Sequence, residues 1–178
     1  MKRILEKYSK DQIKKASVVK AIFFEAVGVF ADGRIIYDES GKEIINFSSK
    51  DGHIIRYLKK AGILTGIISS RDSTVVNRRC SELGLDFCHQ GILDKASVLE
   101  KLVKHYRLKS KEVAFIGNDI DDLPALRIAG LSVCPADSID YIKDAVALVT
   151  TARSGRGVVR EVADLVLAAR GEFEKILR

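Results

Sequence analysis

The chain has 178 residues, of which 47% are hydrophobic and 30% are charged, and its formal net charge is +6. A chain of this length and composition is expected to fold as one soluble domain with a buried core. No apolar run approaches the roughly 18 residues that a membrane-spanning helix needs, and the charged N-terminal stretch argues against a signal peptide. The excess of Lys and Arg is dispersed, without interleaved aromatic residues, so we expect no nucleic acid and no membrane partner.

The three cysteines, Cys80, Cys88 and Cys134, are widely spaced and include no CxxC pair. An odd number of cysteines without metal-ligand spacing favours buried thiols over a disulfide framework or a metal site. We therefore expect core thiols and a cytoplasmic location.

The first part of the chain predicts a helix, a buried strand and a hairpin. Residues 1–17 have apolar positions at helical spacing and predict an amphipathic N-terminal helix, and residues 18–178 form the main domain. The run from Val18 to Phe24 is apolar without polar alternation, which is typical of a buried parallel strand. Residues 33–47 contain two short β-branched runs around a turn, which predict a β-hairpin.

The rest of the chain predicts further strands separated by helices. The strands lie near residues 63–69, 86–88, 113–116, 131–134 and 145–150. The helices begin near residues 50, 72, 95, 123, 138 and 157. Strands that alternate with helices indicate an α/β fold with a doubly wound, mostly parallel, Rossmann-like sheet.

Side chains with catalytic or ligand chemistry follow the predicted strands or begin the next helix. They are Glu25, Ser69, Lys95, Asn118, Asp119 and Asp122. Because the carboxyl ends of parallel strands meet at one edge of a sheet, we expect these side chains to converge. Carboxylates suit a hard cation, while a hydroxyl and an ammonium suit an oxyanion. The sequence therefore predicts one polar site at this edge.

Six segments occur in order between about Val19 and Ala168. They are Gly28-Val29 with Asp32-Gly33, Lys50-Asp51-Gly52, Ile68-Ser69 to Arg71, Gly91 to Lys95, Gly117 to Pro124, and Ser154 to Gly157 with Arg160-Glu161. Together they resemble the haloacid dehalogenase superfamily, and within it the capless phosphatases acting on 3-deoxy-D-manno-octulosonate 8-phosphate and their relatives in sialic-acid metabolism. The resemblance implies the α/β fold above, with a hairpin inserted after the first strand and no large cap domain.

The resemblance also implies roles for particular residues. It places Glu25 at the position of the family's nucleophilic aspartate and Val27 at that of its general acid/base aspartate. Ser69, with Ser70 beside it, and Lys95 fall at the phosphate-binding positions, and Lys95 counts among the catalytic residues. Both catalytic acids are thus replaced, whereas the phosphate-binding groups are present.

The resemblance further implies a magnesium ion. Its ligand region comprises Glu25, Val27, Asn118, Asp119 and Asp122, and Asn118 stands where the family has an aspartate. Since a carboxylate is missing at two of these positions, we expect Mg²⁺ binding to be weakened or absent.

The glycine-arginine tail that contains Arg156 and Arg160 reaches a neighbouring subunit's active site in the family. In the same family the hairpin after the first strand closes a barrel with neighbouring subunits of a tetramer, and a lone two-stranded hairpin is marginal in water, so we expect a homotetramer.

Two functional hypotheses follow from these replacements. The first is a protein that has lost efficient phosphatase turnover and binds a sugar-acid phosphate or serves in assembly, because a displaced carboxylate and a missing general acid each lower the rate. The alternative is an active magnesium-dependent phosphatase on a sugar-acid phosphate, with Glu25 as its nucleophile.

Each residue also has a structural interpretation. Glu25 pairs with Lys95 in this interpretation, and Ser69 and Ser70 are turn or N-cap residues. The acids of residues 119–122 stabilise a helix N-terminus through its dipole.

Overall fold

A parallel β-sheet organises the chain in this computed structural model, which describes residues 2–176. The strands, in chain order, are β1 (Ala21–Phe24), β2 (Ile36–Tyr37), β3 (Glu43–Ile44), β4 (Leu64–Ile68), β5 (Phe87–His89), β6 (Val113–Ile116), β7 (Leu131–Cys134) and β8 (Leu148–Val149). Strands β2 and β3 form a separate antiparallel hairpin, and the other six lie in the order β5-β4-β1-β6-β7-β8 with every pairing parallel. The predicted α/β class and the hairpin after the first strand are confirmed.

Helices cover both faces of this sheet. They are α1 (Lys2–Leu5), α2 (Lys10–Ser17), α3 (Ser49–Lys60), α4 (Thr74–Leu83), α5 (Lys95–His105), α6 (Leu123–Ile128), α7 (Asp140–Lys143), α8 (Val158–Ala169) and α9 (Phe173–Ile176). Helices α2 to α5 begin after Ser9, Ser48, Ser73 and Asp94, whose side chains each accept a backbone N–H of the first turn. Across residues 2–176, every helix is too short or too polar to cross a membrane.

The N-terminal segment differs from the single helix predicted over residues 1–17. It forms α1 and α2, which are separated by a turn. Ser9 and Gln12 form a capping box at the start of α2, in which each side chain accepts the other residue's backbone N–H. An N-cap residue has extended backbone, so one continuous helix cannot pass through Ser9. Met1, at the start of the predicted helix, lies outside the described residues, as do Leu177 and Arg178.

Strand β1 is buried on both faces, which explains its continuous apolar sequence. Ile22 and Phe24 belong to the core beneath α2, α3 and α8, whereas Ala21 and Phe23 belong to the core beneath α5 and α6. Full burial of a side chain as large as Phe contributes about 1.5–3 kcal/mol. The strand that carries Glu25 at its end is therefore anchored from both sides.

The order of the strands reverses direction at β1. Strands β4 and β5 extend the sheet on one side of β1, and β6, β7 and β8 extend it on the other. The loops that follow β1 and β6 consequently diverge at the carboxyl edge and leave a crevice between them. Ligands of open α/β sheets bind in such a crevice.

Candidate active site at the carboxyl edge of the sheet

A small cleft of about 110 Å³ opens at the crevice beside β1. It is lined by Glu25, Val27, Ser70, Arg71, Lys95, Asn118, Asp119, Asp121 and Asp122. Ser69 lies just below, fully buried, with its hydroxyl bonded to Glu25. The structure therefore brings together the residues that the sequence placed at the strand ends.

The Glu25 carboxylate is 4% exposed and is surrounded by hydrogen-bond donors. Its Oε1 accepts the backbone N–H of Ala26 at 2.9 Å and the hydroxyl of Ser69 at 2.5 Å. Its Oε2 accepts a hydrogen bond from the ammonium of Lys95. The backbone N–H of Glu25 still pairs with the carbonyl of Ile116 in β6, at 3.0 Å. Pairing with β6 thus fixes the backbone of Glu25. Its side chain bonds to Ser69, directly after β4, and to Lys95 of α5.

Lys95, the first residue of α5, places its ammonium between two carboxylates. It donates to Glu25 and, at 2.6 Å, to Asp122 Oδ1. Burial by itself would lower the pKa of Lys95, but the charges of Asp122 and Glu25 outweigh burial and raise the pKa above its ordinary value. The expected Glu25–Lys95 pair is confirmed. Asp94 has a different role, since it caps α5 by accepting the N–H of Ser97.

Asp122 organises the loop that follows β6. Its Oδ2 accepts the backbone N–H groups of Asn118 at 2.8 Å and Asp119 at 3.2 Å, while its Oδ1 faces Lys95. The Oδ1 of Asp119 accepts the N–H of Ile120 at 2.7 Å and caps a short 3₁₀ turn. Asp119 and Asp122 therefore stabilise the loop itself through hydrogen bonds to its backbone, and the helix-dipole role predicted for these acids stays a prediction.

Val27 and Asn118 flank the mouth of the cleft. Gly28 has a φ of +99°, and a Cβ added there would collide with the Asn118 side chain. The loop after β1 therefore packs directly against Asn118. Val27 presents a half-buried isopropyl group to the cleft, and this group neither donates nor accepts a proton.

Most of the carboxylate oxygens that the resemblance assigns to a magnesium ion have partners within the protein. Between residues 2 and 176, no group of three or more His, Cys, Asp or Glu side chains is placed to hold a metal ion. Both oxygens of Glu25 and of Asp122 are engaged by Lys95, Ser69 or backbone N–H groups. Asn118 offers a neutral oxygen and Val27 offers none.

Arg71 and Glu43 meet beside the cleft, and neither was predicted as a site residue. Arg71 Nη2 donates to Glu43 Oε1 at 3.0 Å, and the other Glu43 oxygen accepts the hydroxyl of Ser73. Arg71 follows the two serines after β4, so its position at a strand end could have predicted it as a site residue. The contact with Glu43 joins residues 28 apart and has no local signal. The N-cap alternative for Ser69 and Ser70 is wrong, because Ser73 caps α4.

Arg156 and Arg160 lie away from the cleft of their own chain. The Arg160 side chain pairs with Asp164 at 2.9 Å, and its backbone N–H donates to the buried Asp51. Arg156 lines a separate shallow surface beside Arg34. Their contact with a neighbouring subunit stays a prediction.

Residues 85–162 match the family of haloacid dehalogenase-like hydrolases. The 3-deoxy-D-manno-octulosonate 8-phosphate phosphatase of Haemophilus influenzae is 35% identical over 89% of this chain and 88% of that protein. The crystal structure of the phosphatase from Moraxella catarrhalis, in complex with a magnesium ion, a phosphate ion and KDO, is 34% identical, with a TM-score of 0.92 over 96% of this chain and 98% of that chain. A cobalt-bound form from Haemophilus influenzae is 33% identical, with a TM-score of 0.86 over 92% and 99% of the two chains.

Proposed function

Because this chain belongs to the 3-deoxy-D-manno-octulosonate 8-phosphate phosphatases, a family of haloacid dehalogenase-like hydrolases, we propose that its cleft binds a sugar-acid phosphate and hydrolyses it slowly. One observation carries this proposal. The Glu25 carboxylate accepts hydrogen bonds from Ser69 Oγ and Lys95 Nζ, the two donors that the family resemblance assigns to phosphate. The protein thus holds its own anion where the substrate's anion would bind.

A phosphate group reaches these donors by displacing the Glu25 side chain. Ser69 is fully buried and donates its single hydroxyl proton to Glu25, and the buried Lys95 already donates to both Glu25 and Asp122, so a phosphate competes with Glu25 for these donors. Exchange of one anion for another keeps the ammonium paired, and Asp122 continues to hold it from the other side. Binding of a sugar-acid phosphate is therefore compatible with the site, but it competes with Glu25.

Hydrolysis is the step that these residues support poorly. A glutamate carries its carboxylate one methylene further out than an aspartate, and a misplacement of about 1 Å costs about a hundredfold in rate. The apolar Val27 provides no proton for the leaving oxygen, and general acid catalysis ordinarily contributes about 10²–10⁴-fold. These factors act on one transition state and need not multiply.

We also propose that Mg²⁺ binds weakly here. The acids of the ligand region are committed to Lys95 and to backbone N–H groups, and a hard cation would have to compete with those partners.

A working phosphatase is the second candidate, and the names of the relatives favour it. The Haemophilus influenzae relative named above is, by its name, a phosphatase of 3-deoxy-D-manno-octulosonate 8-phosphate. The resemblance assigns Lys95, Asp119 and Asp122 to family site positions, and Glu25 still places a carboxylate directly after β1. In a working phosphatase Glu25 would be the nucleophile. Measured turnover rates distinguish this candidate from the slow hydrolysis proposed above.

Removing the Glu25 side chain should open the phosphate site. We expect Glu25→Ala to tighten the binding of inorganic phosphate by about tenfold or more, because the repulsion between two anions a few ångströms apart is removed. Titration calorimetry of the two proteins measures this difference. Adding Ser69→Ala or Lys95→Met to Glu25→Ala should weaken the binding again.

Asp121→Asn is the matched control for this experiment. It removes one acid from the rim of the same cleft without freeing Ser69 or Lys95, and Asp121 is exposed. We expect a change of about twofold or less, since the exposed charge is screened. Equal affinities of Glu25→Ala and the unmodified protein would show that Glu25 does not occupy the phosphate site.

We further propose that the protein assembles as a homotetramer through the β2–β3 hairpin. The hairpin exposes large apolar side chains, namely Ile35 (54%), Ile36 (37%), Tyr37 (57%) and Ile44 (48%). A two-stranded hairpin is marginal in water, and adjoining exposed apolar residues mark interaction surfaces. The Glu43–Arg71 contact holds the hairpin against the cleft rim, so assembly would lie close to the site.

Light scattering at micromolar concentration tests this assembly. The unmodified protein should have the mass of four chains, and Ile36→Lys with Tyr37→Lys should lower that mass because charges replace the apolar contacts. Lys42→Glu, a change at the exposed hairpin turn, should leave it unaltered. A monomeric unmodified protein would contradict the proposal.

A further inference from the structure

Two cysteines that are eight residues apart meet on one face of the sheet. Cys80 lies in α4 and Cys88 lies in β5, and their sulfur atoms are 2.9 Å apart. The turn between them contains Gly84, whose φ of +64° ends α4 and lets β5 run back beside it. A disulfide has an S–S distance of about 2.04 Å, so the two sulfurs need to approach by roughly 0.9 Å.

The two thiols differ in environment. Cys80 is 4% exposed, whereas Cys88 is half-buried on an edge strand of the sheet. The Cys80 thiol donates a hydrogen bond to the Cys88 sulfur and holds the pKa of Cys88 below its ordinary value. The same contact, together with burial, raises the pKa of Cys80. Cys88 is thus the more nucleophilic and the more accessible sulfur.

We propose that Cys80 and Cys88 are a redox-active pair that forms a reversible disulfide with small-molecule disulfides such as oxidised glutathione. The Cys88 thiolate attacks one sulfur of the oxidant, whose S–S bond breaks and releases one thiolate. Cys80 then loses its proton and attacks Cys88, which releases the second thiolate. The two protein thiols lose two electrons and two protons, and the small disulfide is reduced to two thiols.

This pair adjoins the loop that forms one wall of the cleft. The N–H of Ser69 donates to the carbonyl of His89 at 2.9 Å, directly after Cys88. The Gln90 side chain accepts the N–H of Ser73, the cap of α4, at 3.0 Å. A covalent link between α4 and β5 therefore braces both attachments of the loop over residues 69–73. We expect oxidation to raise Tm and dithiothreitol to reverse the change.

Peptide mass spectrometry of the full chain tests the proposal. The sequence from Cys80 to Lys95 contains no internal Lys or Arg, so one tryptic peptide carries both cysteines. After incubation with oxidised glutathione, denaturation and alkylation, this peptide should be lighter by two hydrogen atoms and unalkylated. The peptide that contains Cys134, a fully buried residue of β7, should be fully alkylated.

Two serine variants distinguish the roles of the sulfurs. Cys80→Ser should accumulate a mixed disulfide on Cys88, because the second thiol is missing. Cys88→Ser should leave Cys80 free. Alkylation of both cysteines in the treated unmodified protein would overturn the proposal, and so would a glutathione adduct on Cys80 in the Cys88→Ser variant.

Discussion

Replacing Glu25, Val27 and Asn118 together by aspartate should raise the phosphatase rate by about a hundredfold or more. The change retracts the carboxylate after β1, supplies a proton donor at position 27 and adds a charged oxygen at position 118. Lys95 and Asp122 are already in place to hold the site together. Initial rates on 3-deoxy-D-manno-octulosonate 8-phosphate, with magnesium supplied, measure the gain.

The triple variant has two internal controls. Asn118→Asp alone leaves Glu25 and Val27 unchanged, so it should gain little activity. Asp121→Asn added to the triple variant should preserve the gain, because the carboxylates that accept hydrogen bonds from Lys95 are those of Glu25 and Asp122. A triple variant that folds normally and remains as slow as the unmodified protein would show that the defect lies elsewhere in the cleft.

Lys95→Met should destabilise the protein by about 3–5 kcal/mol, which is the ordinary cost of removing one partner from a buried ion pair. Glu25 and Asp122 are 4% and 1% exposed, and both would lose their cation. For a chain of this size the expected fall in Tm is roughly 6–20 °C. Urea denaturation of the variant and of the unmodified protein gives the difference in free energy of unfolding.

The double variant Lys95→Met/Glu25→Gln is the matched control. It leaves one unpaired buried carboxylate in place of two, so it should be more stable than Lys95→Met alone. A loss below about 1 kcal/mol for Lys95→Met would indicate that water enters the cluster, as in an exposed pair.

The difference in free energy of unfolding between the unmodified protein and Lys95→Met should depend on pH, because the pKa of Lys95 is raised. A raised folded-state pKa contributes stability that is fully present below the unfolded value, about 10.4, and is lost as pH rises through the folded value. The stability of the unmodified protein relative to Lys95→Met should therefore stay constant from pH 7 to about pH 9.5 and shrink above it.

The sequence predicted the sheet well because β1 and its neighbours carry unambiguous patterns. The run before Glu25 is apolar without alternating polar residues, which is the pattern of a strand that is buried on both faces. The single helix predicted over residues 1–17 was wrong because Ser9 and Gln12 make a capping box, a signal that the sequence does contain.

The site was harder to predict than the fold, since its contacts join distant parts of the chain. Strand-end reasoning located Glu25, Lys95 and Asp122 at one edge, but it could not show that one ammonium serves both carboxylates. The meeting of Cys80 and Cys88 depends on how the turn at Gly84 returns β5 along α4, which their spacing alone did not reveal.

The turnover number of the unmodified protein on 3-deoxy-D-manno-octulosonate 8-phosphate tests the proposed function most directly. Ordinary enzymes turn over about 1–10³ times per second, and we expect a value at least about a hundredfold below that range. The Glu25→Ala variant should bind phosphate more tightly without gaining activity. Turnover at ordinary rates by the unmodified protein, abolished by Glu25→Ala, would contradict the account and identify Glu25 as a working nucleophile.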